Sequence, residues 1–434
     1  MDIVRKMAYK NYVLGVLTLV YTLNYLDQGL ISLLLQPIKV DLRLSDSQMG
    51  FASGIAFALF YATLGVPIAR WADRGNRTTI TSAAIGLWGV TVMTCFCVAN
   101  FSQLVLARVI AGVGEAGSMP AGYSMIGEYF PGNGERTRAM TVYMLAAPIA
   151  TVISFVAGGW LNDQFGWRMT FLLLGFPGLL AAVLVKSTVV EPRVRQRRIA
   201  AHKGGTPPMV SVLVSLWQRR STRHLGCALI LLYTLGSGLS SWYAAFLSRS
   251  HFMKTSEVGA WLGIIFGVAG FVGVLAGGYV AQRWFLNNEK GQVRGTGVIV
   301  ALLFPSLMLF LLLPTKGGAL VSLVPVAIAF NFFFGPTFAL MQRLVADDIR
   351  ATTMAIFMLF ANLIGMGVGP QVVGMMSDLF SPILGDEALR YSMLVMSGVA
   401  LWSGYHFWQV GRSVQYDLMS IRAANGFGDA VVVP

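Results

Sequence analysis

Charge is scarce in this chain. Charged residues make up 12% of its 434 residues, and only 19 of them are acidic. That is about half the charged share of an average soluble domain. Apolar residues reach 56%, more than the core of a soluble fold of this length could hide. The composition therefore excludes an ordinary soluble enzyme and predicts an all-α, polytopic membrane protein. Cysteine is scarcer still. Three residues, Cys95, Cys97 and Cys227, cannot build a disulfide framework or a cysteine-rich metal site, and all lie in apolar runs where cysteine behaves as a small hydrophobe. The four histidines, His202, His224, His251 and His406, are scattered. No Ser–His pairing and no glycine-rich phosphate loop is visible. These absences argue against an enzyme, an ATP-driven pump, a bound metal and a cofactor.

What is present is a series of long apolar runs. Twelve of them, near 12–35, 48–70, 78–99, 103–128, 137–161, 168–186, 224–248, 257–284, 295–314, 318–343, 352–378 and 390–412, can each cross a hydrocarbon core of roughly 30 Å. The first is too long, and lacks the small-residue site, for a cleaved signal peptide. A polar stretch at 187–223, with Arg193, Arg195, Arg197 and Arg198, splits the spans six and six. The expected organisation is an N-terminal half (1–186), a cytoplasmic linker (187–223), a C-terminal half (224–412) and a cytoplasmic tail (413–434). With both termini in the cytoplasm, 24 of the 32 Lys and Arg fall on that side. The net charge of +13 is thus an orientation signal of the positive-inside kind, and nucleic acid is not an expected partner. The linker arginines can also meet anionic lipid.

A small residue followed four later by an acid recurs at span ends: Ala69 and Asp73, Gly159 and Asp163, Gly374 and Asp378, with Gly278 and Gln282 as the neutral member. The intervals of 90, 119 and 96 residues each carry three spans. Four three-helix units in two halves are the architecture of nested inverted repeats.

At this point the chain resembles the major facilitator superfamily. Asp73-Arg74-Gly75-Asn76-Arg77 is similar to its signature loop, Gly-x-Leu-Ala-Asp-Arg-x-Gly-Arg-Lys, with Ala69 and Asn76 in place of the two glycines. Asn is the next-best residue for a left-handed turn, so the turn is expected to survive. Arg108, Gly112 and Gly114 in the fourth span, and Gly166-Trp167-Arg168 before the sixth, are also typical. Within the superfamily the chain is most similar to the bacterial Spinster-like group, through Asn24-Tyr25-Leu26-Asp27, Gly112-Val113-Gly114-Glu115-Ala116, Glu128-Tyr129-Phe130-Pro131, Gly175-Phe176-Pro177-Gly178, Phe246-Leu247-Ser248-Arg249-Ser250-His251 and Gly365-Met366-Gly367-Val368-Gly369-Pro370. Beside a facilitative, uncoupled carrier, the alternative is the organic-anion and sugar-acid symporters, which share the Gly-Glu-Ala segment. That group carries Arg after the Asp of the first segment; here the residue is Gln28. The resemblance implies a secondary transporter working as a monomer in a cell inner or plasma membrane, with spans 1 and 4 lining its cavity.

Three ionisable residues fall well inside spans: Asp27, Arg108 and Glu115. Each costs about 2.5–3.5 kcal/mol near the bilayer centre, so they should face a cavity or one another. Arg108 and Glu115 are seven apart, about 10 Å along one helix and on nearly the same face. Burial favours a carboxyl's neutral form and a nearby guanidinium its charged form. Asp27 and Glu115 are therefore expected as proton acceptors, with Arg108 as their counter-charge or as the holder of a substrate anion. The alternative is an ion pair that fixes span 1 against span 4. Carboxylates serve H⁺ and Na⁺ alike; H⁺ is the expected partner and Na⁺ the alternative.

The resemblance further implies a cytoplasmic gate, in which Asp73 docks on the N-terminus of span 11, a partial positive charge. Arg74 and Arg77 would pair across the halves, and Glu128, Arg136 and Arg138 would join. Asn24, Tyr25, Gln28, Tyr123, Tyr143, Trp242, Asn331 and Asn362 are the expected cavity lining. Such an aromatic cavity with one Arg suits an amphiphilic or aromatic organic anion better than a free sugar. Pro148, Pro325, Pro336 and Pro370 mark expected bends.

Overall fold

The computed structural model of the protein describes residues 2–191, 209–285, 288–345 and 349–424. The linker arginines from Arg193 to Arg198, and His202, lie outside these residues. The described residues contain twenty α-helices and no strand. In chain order the first seven are α1 (Asp2–Leu42), α2 (Asp46–Ser53), α3 (Ile55–Arg74), α4 (Arg77–Thr94), α5 (Phe101–Tyr129), α6 (Asn133–Met144) and α7 (Ala146–Thr188). Then come α8 (Met209–Gln218), α9 (Arg220–Ser240), α10 (Tyr243–Ser250), α11 (Thr255–Ile264), α12 (Gly270–Trp284), α13 (Glu289–Ala301) and α14 (Leu303–Leu312). The last six are α15 (Lys316–Phe332), α16 (Phe334–Arg343), α17 (Arg350–Phe360), α18 (Gly367–Leu384), α19 (Ala388–Ser397) and α20 (Val399–Ala424).

Among the described residues nine helical segments are long and apolar enough to cross a membrane. Two of them, Gly134–Thr188 and Thr352–Ser420, reverse at Gly166 (φ 78°) and Gly385 (φ 54°). Together with the 41-residue α1 they accommodate twelve passages. Gly166, at ψ 166°, occupies a region open essentially to glycine alone, and the chain turns there between the fifth and sixth spans. Next to it Arg168 donates to Asp41 at 2.5 Å and to the Val98 carbonyl at 3.0 Å.

Most spans consist of two helices, and proline explains several breaks. A proline ring clashes with the carbonyl four residues earlier and offers no N–H to it. Helices α6, α13 and α15 end at Met144, Ala301 and Phe332, four residues before Pro148, Pro305 and Pro336. The π turn Ala361–Met366 likewise ends four residues before Pro370. Pro325, expected to bend its span, lies inside the unbroken α15, whose span breaks before Pro336 instead; Pro305, not among the expected bends, accompanies the break in the ninth span. One turn expectation is corrected as well. Asn76 is extended (φ −85°, ψ 108°) and not left-handed, and its side chain accepts from the Thr79 backbone N–H at 2.8 Å. The residue does not replace glycine's freedom; it supplies the N-cap of α4.

The helices group into two compact units. The first holds α1–α7, α10, α11 and the residues of α18 from Pro370 onward; the second holds α8, most of α9, α12–α17, α19 and α20. Large apolar side chains face outward along helical stripes. On α7, Leu173, Phe176, Leu180 and Val183 are 42–68% exposed, as on the lipid-facing side of a membrane helix.

Candidate functional site

The polar residues of the first unit's interior converge from two helices. On α1, Asn24, Asp27 and Gln28 stand at i, i+3 and i+4 and share one face. On α5, Arg108 and Glu115 are two turns apart. Glycines let the neighbouring backbones close on α5: a β-carbon at Gly112 would lie 2.8 Å from the Phe57 carbonyl oxygen, and one at Gly114 2.9 Å from the Trp88 backbone nitrogen. The Arg108 guanidinium donates to Asp27 Oδ2 at 2.5 Å, both side chains being almost fully buried, and lies 4.9 Å from the centre of the Phe57 ring. Gln28 Nε2 donates to Glu115 Oε1 at 2.6 Å. Both amide atoms of Asn24, Asp27 Oδ1, Arg108 Nε, Glu115 Oε2 and Ser118 Oγ are buried without a hydrogen-bond partner among the described residues.

This arrangement revises the expected charge sharing. Among the described residues Arg108 pairs with Asp27, and Glu115 is held by Gln28. The neighbouring positions of Asp27 and Gln28 explain the division, since each reaches a different level of α5. Tyr25 and Arg108 both lie within electrostatic reach of Glu115.

The expected lining residues separate into groups. Tyr143 packs against Tyr21, with ring centres 4.9 Å apart, and against Tyr123 at 5.5 Å. Trp242 is fully buried and donates its indole N–H to the Pro370 carbonyl at 3.1 Å, a packing role in the first unit. Asn331 and Asn362 belong to the second unit; the Asn331 amide donates to the Ala327 carbonyl of its own helix at 2.9 Å.

Of the gate residues, the side chains of Asp73 and Arg74 lie outside those described. Arg77 pairs within the first unit. Its backbone and side chain reach Glu191 at 2.6–3.1 Å, and it also meets Glu128 at 2.7 Å and Ser124 at 2.6 Å. Arg136 caps the end of α5, donating to the Gly127 carbonyl at 2.9 Å. Arg138 is exposed beside Lys10 and Glu135.

A second polar network was not singled out by the sequence. Asp46, 3% exposed, accepts two hydrogen bonds from Arg249 at 2.7 and 2.8 Å, one from Ser377 at 2.6 Å and one from Lys39 at 2.7 Å. Gln36 accepts from Arg249 Nε at 2.7 Å. Beside it lies a cavity of about 300 Å³. Asp378, an acid of the repeat, accepts from the backbone N–H groups of Asp46 and Ser47 at 3.0 and 2.8 Å. Asp163, its counterpart, accepts from Ser256 N–H at 2.9 Å. Two repeat acids therefore cap the first turns of α2 and α11, the kind of docking expected of Asp73. The repeat and the Arg249 segment were the available signals; Asp46 carried none.

His224 and His406, distant in sequence, meet with their Nδ1 atoms 2.9 Å apart. Among the described residues no group of three or more His, Cys, Asp or Glu could hold a metal ion.

Comparison with known proteins agrees with this architecture. Residues 17–370 match the profile of the Major Facilitator Superfamily. An MFS-type efflux pump of Mycolicibacterium smegmatis (strain ATCC 700084 / mc(2)155) is 32% identical over 93% of each chain. A hexuronate transporter of Bacillus subtilis (strain 168) is 26% identical over 87% of this chain and 90% of its own. The crystal structure of a bacterial homolog to the human lysosomal transporter Spinster, inward-facing and unoccupied, superposes with a TM-score of 0.84 at 28% identity, covering 94% of this chain and 98% of that one.

Proposed function

The chain belongs to the major facilitator superfamily, a family of multi-pass membrane transporters, and from that premise we propose that it is a proton-coupled secondary carrier of an amphiphilic or aromatic organic solute. It works by alternating access, as a monomer in a cell inner or plasma membrane with both termini in the cytoplasm. The observation that carries this reading is the cluster of buried Asp27, Arg108 and Glu115 with half-buried Gln28, on the two spans that line the cavity in this family. Two carboxylates facing one guanidinium leave Glu115 as the group whose charge the nearest cation does not fully answer. Protonation there changes the net charge of the cluster from −1 to 0, and solute binding that displaces the proton couples the two. Asp27 and Arg108 fix the helix pair in which this happens.

In the same reading, docking of Asp378 and Asp163 on helix N-termini and the Asp46–Arg249 clasp close the outer side. Asp73 and Arg74 serve the inner side in the opposite state, and Arg77 stiffens the loop that bears them. Reconstitution tests the coupling. Proteoliposomes with an imposed pH gradient should drive concentrative uptake or efflux in the parent protein. Glu115→Gln should exchange solute across the membrane but fail to concentrate it. An unchanged pH dependence in both Glu115→Gln and Asp27→Asn would remove the proposal.

The sequence suggests an organic anion held by Arg108, and the hexuronate relative keeps an acid as the second reading. Its support in this chain is the buried, unpartnered Arg108 Nε.

A further inference from the structure

The charge count within the cluster points away from an anion. Arg108 is the cation nearest both carboxylates and is already bonded to Asp27. With both carboxylates ionised the cluster carries −1. An incoming carboxylate would deepen that surplus, and an ammonium would cancel it. The unpartnered atoms have the matching bias. Against two open donors, Asn24 Nδ2 and Arg108 Nε, stand four buried groups that can accept and have no partner among the described residues: Asp27 Oδ1, Glu115 Oε2, Asn24 Oδ1 and Ser118 Oγ. The residues that bear them are 1, 6, 2 and 3% exposed. Buried acceptors left open call for donors, and an alkylammonium brings up to three with its charge. Aromatic rings border the cluster: Phe57 under the guanidinium, Tyr61 stacked on Phe57 at 5.4 Å, and Tyr25 within reach of Glu115. Their faces favour a cation and their bulk an apolar tail.

We infer that the solute is an amphiphilic or aromatic amine whose ammonium group is received by Glu115, Asp27 and Asn24, in exchange for the proton on Glu115. The inference rests on the proton-coupled reading above and names its substrate class. The exchange balances. Glu115 enters as the neutral acid; its proton leaves to water; the ammonium takes the place of that positive charge, and no covalent bond other than the O–H changes. Transport of this kind is antiport: one positive charge moves one way as a proton moves the other. The charged and titratable groups facing Glu115 are Asp27 and Tyr25 from α1 and Arg108 from its own helix. Cys95 lies within reach of Asp27 and Arg108, and α3 contributes Phe57. Glu115 is the carboxyl among them without an ion-pair partner among the described residues, so the competition between proton and amine centres on it.

Three probes of one chain length separate charge, hydrogen bonding and sign: octylamine, octyltrimethylammonium and octanoate. Each is titrated into the full chain in nanodiscs by calorimetry, at about pH 6 and about pH 8, in buffers of different ionisation enthalpy, which reports protons released or taken up per ligand. Octylamine should bind about tenfold or more tighter than octanoate. Its binding should release protons, more so at the lower pH, where its affinity is weaker. Octyltrimethylammonium, with the charge but no N–H, should bind more weakly than octylamine. Glu115→Gln should lose the proton release and about tenfold in amine affinity, while Glu115→Asp, which keeps the charge, should retain release. Thermal unfolding of each variant establishes that it is folded.

Tighter binding of octanoate with proton uptake would overturn the amine and leave proton coupling standing, as symport of an acid. Equal binding of octylamine and octyltrimethylammonium would overturn the hydrogen-bonded ammonium. Amine binding without proton release, or unchanged in Glu115→Gln, would overturn the exchange. Failure of every probe to move a proton would overturn the substrate class and the coupling together.

Discussion

At 2.5 Å, Arg108 and Asp27 have left water together. The attraction between two such charges roughly offsets their desolvation, but removing one partner strands the other. Arg108→Ala should therefore lower stability by about 3–5 kcal/mol. The double variant Asp27→Asn with Arg108→Gln should recover most of that loss in a thermal unfolding series. Equal losses in the single and double variants would contradict the pair. Asn24 makes the opposite prediction. A buried amide with both atoms unpaired costs about 1–3 kcal/mol, so Asn24→Leu should leave the protein as stable or more so while weakening solute binding. A stability loss with full binding would assign Asn24 to packing. The three buried charges were legible because charge inside an apolar run is rare and expensive. Their pairing was not. Spacing on α5 joined Arg108 to Glu115, but the bond across to α1 depends on which of two adjacent residues, Asp27 or Gln28, meets which level of α5. Asp46 and Arg249 were illegible as a pair because they lie near span ends, where charge is cheap and marks nothing.

Within single elements, periodicity and backbone chemistry divide the information. The apolar runs revealed where helices cross, and Gly166 where the fifth and sixth spans turn. Gly166→Ala, at φ 78° and ψ 166°, should cost about 1–3 kcal/mol although open space surrounds the position. No change in unfolding temperature would contradict the strained turn. The breaks inside spans were only partly legible. A proline four residues beyond a helix end predicts Met144, Phe332 and Met366. The same rule fails at Pro325, and likewise at Pro37, Pro67, Pro120 and Pro177, each of which lies inside a continuous helix. The break before Trp242, between α9 and α10, carries no proline; Ser240 and Ser241 stand there, a Gly/Ser-type kink site that the proline rule does not cover. Asn76 shows a different limit. Its identity fitted a left-handed turn and an N-cap equally well, and the geometry of the following helix chose the cap.

For the whole molecule the repeat proved the most informative sequence feature, since two of its acids dock on helix N-termini as the gate hypothesis requires of a third. Each dock exchanges hydration for charge-assisted hydrogen bonds of about 1.5–3 kcal/mol. Asp378→Asn should thus loosen the first unit near Asp46. With Ser248→Cys placed in the wall of the adjacent cavity, labelling by a membrane-impermeant maleimide should accelerate about tenfold or more in Asp378→Asn; unchanged labelling would leave Asp378 without a closing role. What solute passes, and with which ion, was never in the composition. It depends on a few buried atoms whose partners emerge only in three dimensions. Exchange of the Glu115 proton for solute is read out by following internal pH in proteoliposomes when solute is added outside in the absence of any imposed gradient. Solute movement should shift the internal pH in the parent protein, and Glu115→Gln should carry solute with no pH change. A pH change of full size in Glu115→Gln would contradict it.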